Sequence, residues 1–435
     1  SIMAGKIQPI VRKIEDNIQE LQRFQDELVQ QEPSKEEEIL LHFPTVYIHN
    51  WKKTGEYEVY IGQSNDIVQR TKQHYDDRRK TDSWQHDLFE NKASLYIIGH
   101  EHFNKSMTLD IENRLMHYMM SADRVRKIHN LRGNPQNRYY PDGETDGIFQ
   151  MIWRRLRRDN KELFPTESAI KDSAVFKASP LHKLTEDQEN IKECILRRVF
   201  DALKTGQGRQ LIFIEGEAGT GKTVLNSSTF YEIFVRAKES KMESLSCFMM
   251  VNHDEQVGVY QQIAGKLGLT DEYGEVVCKP TTFINHHSPE DPVDVAFIDE
   301  AHLLLTQGKQ AYQGSNQLKD IIERAKVTVV MFDENQILTT EQYWEAKILE
   351  EYRELAKKQN NYFELTKQLR LRASKEMMDW LDAFTKEQQL FKLPENLGGY
   401  DIQIFETPAD LEAALREKAS DEKHKLSRII ASYDW

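Results

Sequence analysis

Apolar positions along this chain recur with more than one period. Over residues 7–28, Ile7, Val11, Ile14, Ile18, Leu21 and Leu28 fall mostly three or four apart, Gln25 interrupts the seam, and charged or amide residues lie between. That spacing predicts an amphipathic helix. Its apolar face could pair two copies of the chain as a short coiled coil, or lie on the neighbouring part of the same chain. Glu32 to Glu38 is a charged connector containing Pro33. Thr45-Val46-Tyr47-Ile48-His49-Asn50-Trp51 and Tyr57-Glu58-Val59-Tyr60-Ile61-Gly62 then flank a polar turn at Lys52 to Glu56 and predict a hairpin. A helix is expected to open near Asn65 or Asp66, with Arg70 and His74 one turn apart on one face. A strand over Ser94 to Ile98 and a helix from about Met107 to Met120 should follow. Ile148, Ile152 and Leu156 mark a further helical face, and residues 159–180, with Pro165 and Pro180, read as a linker.

Beyond the linker the apolar runs are less interrupted. Leu211-Ile212-Phe213-Ile214, Leu245 to Val251, Val293 to Ile298 and Val327 to Phe332 predict strands. The first leads into Gly216-Glu217-Ala218-Gly219-Thr220-Gly221-Lys222-Thr223, and a helix-like run starts near Val224. Strand, glycine loop and helix in that order fit G-x-x-x-x-G-K-[ST], a loop whose inward N–H groups cradle phosphates. Lys222 would reach the β- and γ-phosphates, and the Thr223 hydroxyl would hold Mg²⁺. The Val293–Ile298 run ends in Asp299-Glu300, the second half of such a site: Asp299 for the metal, Glu300 to orient and deprotonate the attacking water. ATP and Mg²⁺ (or Mn²⁺) are the expected cofactors.

Composition narrows the class. The chain has 435 residues, enough for about three domains. No window of 18 apolar residues occurs, so no membrane partner is expected. Cys194, Cys247 and Cys278 are too scattered for a zinc pattern or a disulfide framework, which suits a cytoplasmic location. The net charge of −13 does not favour nucleic acid overall, but local patches decide binding. One such patch gathers Arg124, Arg126, Lys127, Arg132 and Arg138 around Tyr139-Tyr140, with Trp153-Arg154-Arg155-Leu156-Arg157-Arg158 beyond. Arg132, Arg154, Arg155, Arg157 and Arg158 are candidate phosphate contacts, and the aromatics candidate stacking partners.

The segment 43–135 resembles the GIY-YIG endonucleases. Thr45-Val46-Tyr47 and Tyr60-Ile61-Gly62 stand for the two tripeptides, and Arg70, His74, Glu112 and Asn130 follow in the family's order; Thr45 stands where the family has glycine. The resemblance implies a metal ion on Glu112, Tyr47 as general base, Tyr60 bonding the water or a phosphate oxygen, Arg70 on the developing charge, His74 positioning water or moving a proton, and Asn130 in support.

Residues 184–435 resemble the Schlafen-group-3-like helicases of superfamily 1. Gln188 is similar to the glutamine that reads adenine upstream of the phosphate loop. Asp333-Glu334-Asn335-Gln336 resembles the motif whose glutamine, here Gln336, senses the γ-phosphate. Leu365 to Arg370 resembles the motif that delivers an arginine, Arg370, with Arg372 nearby as an alternative. The expected fold is α/β: an N-terminal helix (1–40), a small α+β nuclease domain (41–140), a basic helix and linker (141–183), a RecA-like lobe with a parallel sheet (184–390), and the start of a second lobe (391–435). The resemblances imply an endonuclease joined to an ATPase of helicase type, acting on nucleic acid, with DNA ahead of RNA and a role in defence against foreign DNA. Pairing of two copies through 7–28 is the expected route to an oligomer.

Overall fold

The computed structural model describes residues 7–30, 34–77, 83–130, 143–217, 219–242, 244–302, 304, 317–333, 343–365, 375–385, 387–395 and 402–420. The chain divides into two units, Ser1–Lys367 and Gln368–Trp435. Two sheets build the first.

The N-terminal sheet contains β1 (Ile10–Glu15), β2 (Thr45–Lys53), β3 (Glu56–Ser64), β4 (Ala93–Gly99) and β5 (Val125–His129), in the order β1-β4-β2-β3-β5. All neighbours are antiparallel except β3 and β5. Thr54 and Gly55, at φ 53° and 86°, make the two-residue turn between β2 and β3. Positive φ at both central residues matches the right-handed twist of the flanking strands.

The helix expected over 7–28 begins only at Ile18 and runs to Gln30. Residues 10–15 are strand instead. Ile10, Val11 and Ile14 are β-branched, and pairing from Ile10↔Gly99 to Glu15↔Ser94 satisfies their backbone. Asn17 then caps the helix, its Oδ1 accepting from the Glu20 amide at 2.8 Å. Leu21, Phe24 and Leu28 are buried in one cluster with Tyr47, Trp51, Tyr60 and Ile97. The helical seam is thus covered by the chain's own sheet.

Strand alternation separates the two faces of that sheet. Tyr47, Trp51, Tyr60, Leu95 and Ile97 lie in the cluster under Ile18–Gln30. Val46, Ile48, Val59, Ile61 and Ile98 share another with Ile111, Leu115 and Met119 of the helix Lys105–Met120. This second cluster continues into the rest of the unit.

Residues 159–180 are not a linker. Leu163, Phe164, Ile170, Val175 and Ala178 are buried, and Thr166 and Ser173 cap two short helices, Glu167–Asp172 and Ala174–Ala178. The Trp153 indole donates to the Pro165 carbonyl at 2.9 Å and meets the Phe164 ring edge-on. Prolines and polar residues suggested a connector, but apolar residues spaced among them reach the shared core.

The second sheet is wholly parallel. It holds β6 (Gln210–Gly216), β7 (Cys247–Met250), β8 (Val277–Cys278), β9 (Val293–Ile298), β10 (Ala325–Phe332) and β11 (Tyr362–Leu365), in the order β11-β6-β10-β9-β7-β8. Its strands read as apolar runs because both faces are covered. The chain leaves β6 toward β7 on one side and ends on β11 on the other, so a ligand crevice is expected at the carboxyl ends near β6.

The second unit begins ahead of the boundary expected at 390. The Trp380 indole donates to the Phe391 carbonyl at 2.8 Å and the Gln389 amide to the Ala383 carbonyl at 2.9 Å, tying the helix Lys375–Thr385 to the segment that follows it. Among the described residues, no helix is long and apolar enough to cross a membrane.

Candidate active sites

The first site lies at the β2–β3 pair. Tyr47 and His49 project from one face of β2, and Tyr60 lies opposite His49 on β3. Asp66 caps the helix Ile67–Asp76 through the Gln69 amide, which presents Arg70 and His74 one turn apart. The Tyr47 hydroxyl and His74 Nε2 are 3.2 Å apart. The Tyr60 ring stacks on Trp84 at 4.0 Å and meets His74 at 5.0 Å. Burial, the His49 ring and Arg70 push His74 down to about 3, so it is a neutral acceptor at pH 7. Burial and Tyr60, with a smaller contribution from the Glu112 carboxylate, push the Tyr47 hydroxyl well up despite Arg70 beside it. Arg70 itself is disfavoured as a cation by burial, but Tyr47 and Tyr60 outweigh this and hold it charged.

Gly62 makes this packing possible. A Cβ there would lie 2.5 Å from the Tyr47 hydroxyl oxygen. Gly62→Ala should therefore displace Tyr47 from His74, costing about 1–3 kcal/mol of stability by overpacking. Urea unfolding checks this; an unaltered midpoint would mean that Tyr47 gives way without consequence.

Glu112 is 7% exposed on the helix Lys105–Met120. Asn130, at φ 66°, donates to the Ile61 carbonyl at 2.8 Å and lies 3.4 Å from Glu112 Oε1. Asparagine tolerates that left-handed backbone. It ties the carboxylate to the strand bearing Tyr60 and Gly62. Among the described residues no group of three His, Cys, Asp or Glu could hold a metal ion. A magnesium ion that keeps its waters and takes substrate oxygens needs only one or two carboxylates, so Glu112 fits one.

Sequence reasoning missed the groups behind this site. His49 Nδ1 lies 2.5 Å from Asp16 Oδ2, and the Tyr75 hydroxyl donates to Asp16 Oδ1 at 2.5 Å. His49 is fully buried against Tyr47, Tyr60, His74 and Trp84. Its place two residues after Tyr47 on an alternating strand was a usable signal; Asp16 becomes relevant only once β1 is paired.

Glu58, at 1% exposure, accepts from the Trp51 indole and from Arg126, both at 3.1 Å. Burial pushes its carboxyl up, but bonds and charge from His129 and Arg126 outweigh burial and hold it at about 2. Its folded value lies below its unfolded one. Its stabilisation is therefore full above about pH 4.3 and is lost as pH falls through about 2. Arg126→Met should raise the acid-unfolding midpoint, read by tryptophan fluorescence; an unmoved midpoint would remove Glu58 from the acid limb.

The second site sits at the carboxyl ends of β6, β9 and β10. The loop Gly216 to Gly221 joins β6 to the helix Lys222–Glu239; Ala218 lies outside the described residues. The Gln188 amide donates to the Thr220 carbonyl at 2.8 Å, while its Oε1 accepts from the Thr185 amide and closes the cap of the helix Glu186–Thr205. Gly221, at φ 81°, passes so close that a Cβ would lie 2.3 Å from that nitrogen. Lys222 Nζ donates to the carbonyls of Gly216 (2.6 Å) and Glu217 (2.7 Å), and Asp333 is 3.8 Å away. Burial pushes the Lys222 ammonium down against the pull of Asp333, Asp299 and Glu300.

Asp299 is 2% exposed. Its Oδ2 accepts from Thr223 (3.2 Å) and from Tyr260 (2.6 Å), and its Oδ1 accepts from the Glu300 amide (3.0 Å). Thr223 and Asp299 thus meet as a pair that fits a hard cation beside a phosphate chain. Glu300, at φ 48°, occupies a backbone region rare for its type and common at functional sites. Burial, then Asp299, pushes its carboxyl up, toward the range of a working base. Tyr260 was not anticipated, and Asp333, read only as the start of the Gln336 motif, was not expected beside Lys222. Gln336 and Arg370, with Arg372, lie outside the described residues.

The basic zone is only partly available. The helix Gly143–Asp159 turns Ile148, Phe149, Ile152, Trp153 and Leu156 inward, so Trp153 is a core ring and not a stacking platform. Arg154, Arg155 and Arg158 are exposed, while Arg157 donates to the Phe164 carbonyl at 3.3 Å. Arg126 is paired with Glu58 and Lys127 with Asp271. Arg132 and Tyr139-Tyr140 lie outside the described residues.

Residues 209–435 match the family described as Schlafen group 3, DNA/RNA helicase domain. The chain is 27% identical over 313 residues to the uncharacterized protein YPL245W of Saccharomyces cerevisiae, a match covering 65% of this chain and 66% of the yeast protein. The match therefore spans just under two thirds of that relative. Among solved structures, the Pif1 helicase from Candida albicans aligns over 55% of this chain and 56% of its own, at 17% identity and a TM-score of 0.23. PCH-2 of C. elegans aligns over 87% and 89%, at 15% identity and a TM-score of 0.25. Neither structural likeness is close enough to carry an argument.

Proposed function

The chain belongs to the Schlafen group 3, DNA/RNA helicase domain family, and on that premise we propose that it couples an ATPase of helicase type to a metal-dependent endonuclease of GIY-YIG type. The supporting observation is that Tyr47, Tyr60, Arg70, His74 and Glu112 converge in the same unit as a phosphate loop whose Thr223 meets Asp299.

In the nuclease half, Mg²⁺ held by Glu112 would polarise the scissile phosphate and stabilise the leaving 3′-oxygen. Arg70 presents a planar fork to the non-bridging oxygens. A tyrosine with a raised pKa is a poor base alone. Neutral His74 at 3.2 Å, too weak a base to keep a proton at pH 7, can accept from the Tyr47 hydroxyl and aim its oxygen at the water, whose proton passes to a phosphate oxygen or to solvent. The water oxygen bonds to phosphorus, and the P–O3′ bond breaks. Tyr60 holds the water or a phosphate oxygen.

In the ATPase half, Mg²⁺–ATP would supply the electrophilic γ-phosphorus. Lys222 turns from its own loop to the phosphates, Thr223 and Asp299 hold the cation, and Glu300 orients the attacking water. Gln188, whose amide bonds Thr185 and Thr220, is the proposed adenine contact, and Gln336 and Arg370 are the proposed γ-phosphate contacts. Arg154, Arg155 and Arg158 offer an exposed cationic face to the nucleic-acid backbone. The GIY-YIG resemblance puts DNA ahead of RNA as substrate.

Incubating the chain with supercoiled plasmid and with single-stranded RNA, in Mg²⁺, with and without ATP, tests the reading. Nicking of plasmid and nucleic-acid-stimulated ATP turnover are expected. No cleavage of either polymer overturns the nuclease half, and no turnover overturns the ATPase half.

A further inference from the structure

The helix Asp254–Lys266 touches the nucleotide site at one point and the end of the helix that carries Glu112 at another. Near its middle, the buried Tyr260 hydroxyl donates to Asp299 Oδ2 at 2.6 Å. At its last residue, Lys266 Nζ donates to the carbonyls of Met120 (2.8 Å) and Ala122 (3.0 Å). Those carbonyls end the helix Lys105–Met120, which carries Glu112. Tyr260 and Lys266 are about 9 Å apart along the helix axis, and Glu112 lies about 12 Å from the end that Lys266 caps. Just beyond, Lys127 of β5 pairs with Asp271 at 3.0 Å and packs against Gly268. The strand ends one residue before Asn130.

We propose that Tyr260 is a positioning residue of the nucleotide site, and that the helix bearing it carries the state of Asp299 to the helix bearing Glu112. This deepens the two-site reading above and rests on it.

A carboxylate oxygen offers about two acceptor positions. On Asp299 Oδ2 both are taken, by Thr223 and by Tyr260, while Oδ1 serves the Glu300 amide. A cation drawing on Oδ2 has to displace one of the two hydroxyls. Thr223 can hold the cation through its oxygen and still donate its proton to Oδ2, so Tyr260 is the hydroxyl left to compete. Gln256 and Thr223 also bond the Tyr260 hydroxyl, but losing the carboxylate costs it a charged partner in a buried place, and a shift of the helix relieves that cost. Lys266 passes the shift on. It is 9% exposed, burial pushes its ammonium down to about 8, and it donates to the two carbonyls. A cation at a helix C-terminus is favoured, so a displaced Lys266 loosens the last turn of the Glu112 helix.

Hydrogen exchange on the full chain tests this without any cleavage assay. Saturating Mg²⁺–AMP-PNP should change exchange of the amides at 116–122 by about fivefold or more in the wild type. Tyr260→Phe removes one oxygen. It should abolish that response and raise affinity for AMP-PNP in Mg²⁺ relative to AMP-PNP in EDTA, a ratio that a merely structural tyrosine would leave alone. Lys266→Met should bind the nucleotide with wild-type affinity and lose the response. A wild type that binds nucleotide without a response at 116–122, or a Tyr260→Phe that responds as the wild type, overturns the proposal alone. Binding and response without cleavage of any polymer overturn the nuclease half of the function and leave this coupling standing. Absence of nucleotide binding overturns both.

Discussion

Lys222→Ala is expected to reduce ATP turnover by about 10²–10³-fold, the usual cost of removing one preorganised donor from a site of developing charge. The Lys222 ammonium rests on the loop that carries it. It bridges its own loop through the carbonyls of Gly216 and Glu217, with Asp333 at 3.8 Å. Phosphate oxygens are charged acceptors and make stronger bonds to an ammonium than neutral carbonyls do. The lysine therefore has a partner to leave and a better one to reach. Alanine removes that second partnership entirely, while the strand and helix flanking the loop keep their own backbone bonds. The effect should also appear at equilibrium. A ligand at 100 times its Kd stabilises a native state by about 2.7 kcal/mol, so Mg²⁺–ATP should raise the melting temperature of the wild type and leave the variant near its ligand-free value. Wild-type turnover by Lys222→Ala would place ATP chemistry elsewhere in the chain.

The two sites were unequally legible in the sequence. The phosphate loop is a local pattern: a strand, a turn and a helix adjacent in the chain, with Asp299 at the end of an apolar run. Spacing carries such features because their geometry is made by neighbours. Tyr47, Tyr60, Arg70 and His74 were also legible in position, since a hairpin and the helix after it are close in sequence. What failed was longer in range. Ile7, Val11 and Ile14 are spaced for a helix, but six residues also suit a strand, and pairing with β4, some 80 residues away, decided the matter. Trp153 among arginines looked like a stacking surface because a one-dimensional reading cannot tell which side of a helix meets the core. Asp16 against His49, Tyr260 against Asp299 and Lys266 against Met120 join residues 33, 39 and 146 positions apart. No spacing rule couples such pairs. The first follows from the pairing of β1, the second forms within the second sheet's own layer, and the third exists because the two sheets share one core, built partly from the segment that reads as a linker.

Glu112→Gln is expected to lower cleavage by about 10³-fold or more, the scale of the several kcal/mol that a metal ion contributes to a phosphoryl transition state. Glutamine keeps the size and shape of the side chain. Its carbonyl can still face the Asn130 amide, which lies 3.4 Å from Glu112 Oε1, so the tie to the Ile61 carbonyl and to β3 should survive. What disappears is the charge, and with it the one carboxylate among the proposed nuclease residues. ATP turnover should stay at the wild-type rate, the inverse of the pattern expected for Lys222→Ala. Mn²⁺ titration should show the loss of one binding event in the variant while the event linked to Thr223 and Asp299 remains in the presence of nucleotide. Tyr47→Phe adds a control, because it removes the hydroxyl next to His74 without touching the metal position: cleavage should fall while Mn²⁺ binding holds. If Glu112→Gln cuts as the wild type does and Tyr47→Phe does not cut, the metal sits away from Glu112 and the role of the tyrosine alone survives. If neither variant changes cleavage, the convergence of Tyr47, Tyr60, Arg70, His74 and Glu112 is packing, and the nuclease reading falls with it.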